Sequence, residues 1–134
     1  MASKLTDKAK ELVARRVFAS LATLDPDGRP QVTPLWVEMD GDDVLVNTAR
    51  GRVKARNFEQ DPRVGICIVD PESPYGGCVA LQGTVVEATT DGADDHIDRL
   101  AYKYHGVDKY PNRRPGEVRL KVRIRVDHVA MQPE

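Results

Sequence analysis

The chain has 134 residues, 40% of them hydrophobic and 31% charged, which is one domain's worth and enough to bury roughly two-thirds of the surface its unfolded form exposes. Lys and Arg number 20 against 21 Asp and Glu, a net charge of -1 that excludes a global basic field for nucleic acid or anionic membrane and makes any anion site local. The opening MASKLTDKAKEL carries charges where a secretion signal needs an apolar run, and no stretch approaches the roughly 18 apolar residues of a membrane span, so a cytoplasmic protein is expected.

Residues 4–15, KLTDKAKELVAR, place Leu5, Leu12 and Val13 toward one side and predict a short amphipathic helix. VFASLATL (17–24) is rich in strand formers, DPDG (25–28) turns the chain, and RPQVTPLWVEM (29–39) returns it as a hairpin. Within that return strand Pro34 removes a ladder donor, which confines VTPLW to a sheet edge or a bulge and frees nearby backbone groups for a ligand. Leu35 and Trp36 there can give a planar ring an apolar wall, although a single Trp serves equally as core. MDGDD (39–43) turns the chain into a third strand, VLVN (44–47).

The next stretch, TARGRVKARN (48–57), sets Arg50, Arg52, Lys54 and Arg56 at every second position. As a strand it would line four cations on one face; as a loop it would be a solvated basic tip. The composition favours a helix from near Gly51 to before Pro62, because Ala, Arg, Lys, Glu and Gln are strong helix formers and Asp61-Pro62 is a stop. Such a helix, starting directly after a strand, aims its free N–H groups and positive dipole end beyond the strand end, where a phosphate would sit. Arg52 and Lys54 would grip it, with Asn47 and Thr48 offering hydrogen bonds, while Arg56 and Arg63 read as solvated.

RVGICIVD (63–70) is apolar at alternate positions and between them, which predicts a central strand buried on both faces. PESPYGG (71–77) is a loop, and CVALQGTVVEAT (78–89) is a long strand with a bulge or bend expected at Gly83. Cys67 and Cys78 lack metal or redox spacing and read as small buried side chains. Residues 89–106 predict a second amphipathic helix on Ile97, Leu100, Ala101 and Tyr104, and EVRLKVRIRVDHVAM (117–131) alternates as a last strand with Val118, Leu120, Val122, Ile124 and Val126 on one side. The opposite side carries Arg119, Lys121, Arg123 and Arg125, read as a solvent face paired with acids such as Glu87, or as an oligonucleotide stripe. With 5% aromatic residues the chain is short of stacking platforms for nucleic acid, and His96, His105 and His128 lack ligand spacing, so neither nucleic acid nor metal is expected. The whole reads as a mainly β domain over 1–134: a six-stranded antiparallel barrel with flanking helices.

FASLATLDPDGRPQVTPLW followed by VLVNTARGRVKARNFEQDPRVGICI resembles the split β-barrel superfamily of pyridoxamine 5′-phosphate oxidase, in particular its actinobacterial F420-dependent oxidoreductase branch. The likeness runs from about residue 10 to residue 88 and is most specific in DGRPQ combined with K-x-RN-x-x-x-DPR. It implies a homodimer with cofactor sites between subunits, a phosphate held by Arg52 and Lys54, and a flavin-type ring along Thr33, Pro34, Leu35, Trp36, Asn47 and Thr48. Arg50 would meet the glutamate tail of F420. Pyridoxamine phosphate oxidases carry a phosphate-binding Arg where this chain has Thr33, and an Arg-x-His motif where it reads NRRPGEVRLKV, so the resemblance favours F420 over FMN. The implied activity is hydride transfer from reduced F420 to an electron-poor enone, quinone or tetrapyrrole-like acceptor, with water or Tyr75 as proton source. The competing expectations are an FMN-dependent oxidoreductase and a non-catalytic cofactor- or haem-binding barrel.

Overall fold

The computed structural model describes residues 4–133, so residues 1–3 and 134 of the expected domain lie outside the described residues. In chain order, helix α1 (Asp7–Ala14) precedes strands β1 (Ala19–Leu24), β2 (Pro30–Leu35), β3 (Glu38–Asp40) and β4 (Asp43–Ala49). Helix α2 (Val53–Gln60), β5 (Arg63–Val69), β6 (Cys78–Thr89), helix α3 (Ala93–His105) and β7 (Arg119–Met131) follow. The strands form one antiparallel sheet in the order β2-β1-β5-β6-β7-β4-β3.

Seven strands stand where six were expected, because residues 29–39 do not run as one strand. Pro34 has no N–H to give, and the Val37 N–H donates to the Tyr104 hydroxyl at 3.2 Å instead of to a neighbouring strand. The chain therefore leaves the sheet at Leu35 and rejoins it at Glu38, at the opposite end. Those two sheet ends are three peptide units apart in the chain, so they cannot separate by more than about 11 Å. The sheet must curl until its ends nearly meet, and this is the split barrel.

Inside the curl, Leu21, Val44, Val46, Ile66, Ile68, Val79, Val122 and Ile124 form one buried cluster that Leu12, Val13 and Phe58 of the helices complete. Three register shifts between β6 and β7, one at Gln82/Gly83, let these long strands bend around it. A second, smaller cluster of Ile97, Leu100 and Tyr104 takes in Trp36 and Tyr110 where α3 packs on β4 and β7. β5 is central, yet only its inner row Val64, Ile66 and Ile68 is buried. Cys67 and Val69 are exposed and Cys78 is half-buried, so the expected two-sided burial and the buried cysteines do not hold. The α3 cluster covers β4 and β7 and leaves the outer row of β5 uncovered.

Asn57 fixes α2 in place. Buried in a helix of charged residues, it donates from Nδ2 to Thr23 Oγ1 at 3.0 Å and to Asp25 Oδ1 at 2.9 Å. The middle of α2 is thereby tied to the β1–β2 hairpin.

Candidate functional site

Two tight turns bring opposite charges to the same spot. After β4, the Arg52 N–H donates to the Ala49 carbonyl at 3.2 Å across Gly51, whose φ of +91° suits the third position of a type II turn. Before β7, Arg114-Pro115-Gly116-Glu117 repeats the device: the Glu117 N–H donates to Arg114 at 3.1 Å and Gly116 has φ +77°. Ala49 and Arg119 are register partners, so the two turns lie side by side.

Helix α2 begins at Val53, later than expected, which makes Arg52 its extended N-cap residue. The first turn has neither a side-chain cap nor an acidic residue, so its N–H groups present positive charge outward. In front of them is a cleft of about 230 Å³ lined by Pro34, Leu35, Trp36, Asn47, Arg52 and Lys54, and also by Phe18, Tyr110, Asn112 and Arg119. Six of the nine predicted site residues thus share one cleft.

Its charged end is short of anions. The Arg119 side chain is 4% exposed, its Nη1 is buried without a partner, and its guanidinium lies 4.9 Å over the Tyr110 ring. Glu117 is 3.2 Å from Arg119 Nε and 3.8 Å from Arg52 Nη2. Lys54 has no anionic partner among the described residues, and burial, then Arg52 and Arg119, push its pKa down. Burial likewise lowers the pKa of Arg119, against the pull of Glu117.

The opposite end is aromatic. Trp36 is half-buried, stacks on Tyr104 at 5.1 Å and meets the edges of Tyr110 and His105. Tyr104 is fixed from behind, its hydroxyl donating to the Val17 carbonyl at 2.6 Å. Between the two ends, Asn47 Nδ2 donates to the Ala93 carbonyl at 3.0 Å and lies 3.1 Å from His96 Nδ1. His96 is fully buried and burial pushes its pKa down to about 4, so it is a neutral ring that accepts from Asn47 at Nδ1 and carries its proton at Nε2.

The other predicted residues lie outside this cleft. Thr33 and Thr48 each have a buried hydroxyl without a partner, and Arg50 is exposed on the turn. Arg56 is exposed, and Arg63 is exposed and bonded to Asp61 at 2.7 Å. Tyr75 is fully exposed on the 71–77 loop and does not line the cleft. The expected basic stripe of β7 is also broken up: Arg119 is buried, Arg123 pairs with Asp40 and Asp43, and Arg125 pairs with Asp127. Glu87 lies across from Arg123 in register yet makes none of these pairs, and Val118 is exposed ahead of the strand. Sequence reasoning missed Arg119, Glu117 and Tyr110. The available signal was RPGE, a type II turn that had to place Glu117 and the first residue of β7 at a strand end.

No helix among the described residues is long and apolar enough to cross a membrane, and no three His, Cys, Asp or Glu side chains among them gather as a metal would require. Residues 5–130 match the family model described as pyridoxamine 5′-phosphate oxidase. A solved structure named F420 reductase is 26% identical, with a TM-score of 0.82, and the alignment covers 94% of this chain and 98% of that one. HupZ of Group A Streptococcus (22% identity, TM-score 0.67, 93% and 91% covered) and a conserved hypothetical protein of Mycobacterium tuberculosis (20%, 0.70, 96% and 88%) share the fold.

Proposed function

The chain belongs to the pyridoxamine 5′-phosphate oxidase family, and from that premise we propose that it is an F420H2-dependent reductase. The family and the likeness to an F420 reductase support a flavin-type oxidoreductase. The observation that carries the finer reading is the two-ended cleft, with cations in excess of anions at a helix start facing an aromatic wall. A phosphate-bearing ring cofactor has that polarity. The orphaned Nη1 of Arg119 and Lys54, which has no anionic partner among the described residues, fit its phosphate, and Leu35 and Trp36 fit its ring.

When bound, reduced deazaflavin would supply a hydride to an electron-poor acceptor such as an enone, quinone or tetrapyrrole, with the balancing proton drawn from water. The chain's own part is to bind and orient. Arg52, Lys54 and Arg119 would hold the phosphate, and Pro34, Leu35, Trp36 and Asn47 would flank the ring and keep water from it. Thr33 and Thr48 would back that wall from outside the cleft, and Arg50, on the exposed turn, would meet an anionic tail that runs out of it.

The working form is a homodimer in the cytoplasm. Small-molecule pockets run to roughly 300–1,000 Å³, so the cleft of about 230 Å³ holds a three-ring system only with another wall. Strand register puts exposed Pro34, a cleft residue, in one outward row with Ser20, Cys67 and Ala80, next to exposed Val32. A second copy on that row would cover apolar surface and close the cleft together. The free cysteines suit a reducing compartment.

FMN is the second reading, favoured by the cationic excess, since a monoester phosphate carries more charge than the diester of F420. Trp36 is the only tryptophan in the chain and lines the cleft, so its fluorescence reports occupancy directly. Titration with F420 should quench it at lower concentration than FMN does, and F420H2 oxidation should follow on adding a quinone or enone. Tight FMN binding with none for F420 would move the assignment to FMN, and binding of either without turnover would make the protein a carrier.

A further inference from the structure

The cations of the cleft have beside them one group that a cofactor-binding role does not call for. Glu117 places a carboxylate, 10% exposed, against two of the cleft's cations, Arg119 and Arg52, where it meets the groups a ligand's phosphate would use. Its geometry is not that of a carboxylate that orients an arginine. Glu117 Oε1 and Arg119 Nε are 3.2 Å apart, yet both are buried without a hydrogen bond, and the approach to Arg52 at 3.8 Å is too long for one. Charge holds it there without fixing either guanidinium fork.

The turn is what puts it there. Gly116 in left-handed conformation and the Glu117 N–H bond to Arg114 commit the residue to this place, and the Arg50 N–H bond to the Val118 carbonyl at 2.8 Å locks the two turns together. Arg52 and Arg119 share a single carboxylate and Lys54 adds a further cation to the same cleft, which leaves the cluster positive and still open to an anion.

We infer that Glu117 is a built-in counter-ion of the anion site: it partly neutralises Arg52 and Arg119, and a ligand's phosphate must compete with it for them. The carboxylate therefore weakens binding of every anion, and weakens dianions more than monoanions, so it tunes which phosphate the cleft accepts. This rests on the cation end of the proposed site and not on the identity of the ring.

The test uses inorganic phosphate at pH 8 and dimethyl phosphate as dianionic and monoanionic probes, measured by calorimetry on the full chain. Glu117→Gln should bind inorganic phosphate about tenfold tighter than the parent and dimethyl phosphate about threefold tighter, as expected for removing one charge a few ångströms away. Arg123→Met, further along β7 and paired with Asp40 and Asp43, should leave both constants unchanged. Unchanged or weaker phosphate binding by a folded Glu117→Gln variant would overturn the inference, because the carboxylate would then be ordering the cations and not opposing the ligand. Should that variant unfold, Glu117→Met keeps the chain length without the charge and is held to the same outcome; unfolding of both would make Glu117 structural and also overturn it. Parallel titrations with F420 and FMN separate the two claims: tighter phosphate binding with no cofactor binding leaves the counter-ion standing and removes the cofactor, and the converse removes only the counter-ion.

Discussion

Strand β7 carries Arg119 and Arg123 four residues apart in its alternating run, and the protein treats them in opposite ways. Arg123 bonds Asp40 at 2.7 Å and Asp43 at 3.1 Å, so both sides of its fork are satisfied by carboxylates of β3 and β4. Arg119 is far more buried and has only the misaligned Glu117, with Nη1 facing no acceptor. Carboxylates supplied from another part of the chain turn the first into a clamp between strands. Their shortage leaves the second as a site. A charge pattern along one strand is silent on this difference, because neutralisation is decided by what the neighbouring strands bring.

The first way to sharpen the contrast is acid, which should injure the cleft side most. His96, behind Asn47, is neutral in the fold with a pKa of about 4 and would return to about 6.5 on unfolding. Its stabilising contribution is therefore complete above about pH 6.5 and is lost as the pH falls through 4. Urea unfolding of the parent at pH 7 and pH 4.5 should show a stability loss about 2 to 3 kcal/mol larger than in His96→Gln, which cannot titrate. Equal losses would show that the ring's burial does not govern it.

Next in size is the direct comparison of the two arginines. Arg119→Met should weaken F420 or FMN binding by about tenfold to a hundredfold, the worth of a charged hydrogen bond, while leaving folding stability unchanged or slightly higher. Fluorescence titration paired with thermal melting reads both. Lys54→Gln should cost several-fold in the same titration, since an ammonium contributes a point charge without a fork. The smallest effect belongs to Arg123→Met: binding within about twofold, and stability lower by no more than about 1 kcal/mol because its partners are half in solvent. A cofactor-binding defect in this variant would erase the distinction between the two arginines.

What the sequence made legible follows from periodicity and breakers. Alternation in 63–69 and 117–131 marked β5 and β7, Asp61-Pro62 marked the end of α2, and Pro34 marked an edge strand; these are local effects of backbone chemistry. Arg52, Lys54, Trp36 and Asn47 could be gathered because each sits at or near a strand end or turn. Arg119 could not, since its place in the alternation matches that of Lys121 and Arg123, and only pairing with Ala49 across 70 residues of chain buries it. The break at Trp36-Val37 was hidden for the same reason: its cause is the hydroxyl of Tyr104, far along the chain. The exposure of Cys67 escaped because both faces of β5 are apolar and only the placement of α3 decides which is covered.

Strand β7 has one further consequence, for the order in which the molecule is made. It is the sole strand joining β6 to β4, so until residues 119–131 are available the chain holds β2-β1-β5-β6 as one sheet and β3-β4 as a separate hairpin. A nascent chain leaving the ribosome must wait for β7 before its core can close, and through that interval four strands present an open edge along β6. Synthesis paused just before residue 119 would therefore yield a species that chaperones hold and that has no cleft. The same strand delivers Arg119, so the anion site first exists at the moment the barrel is complete, and ligand binding to a nascent chain would time that event.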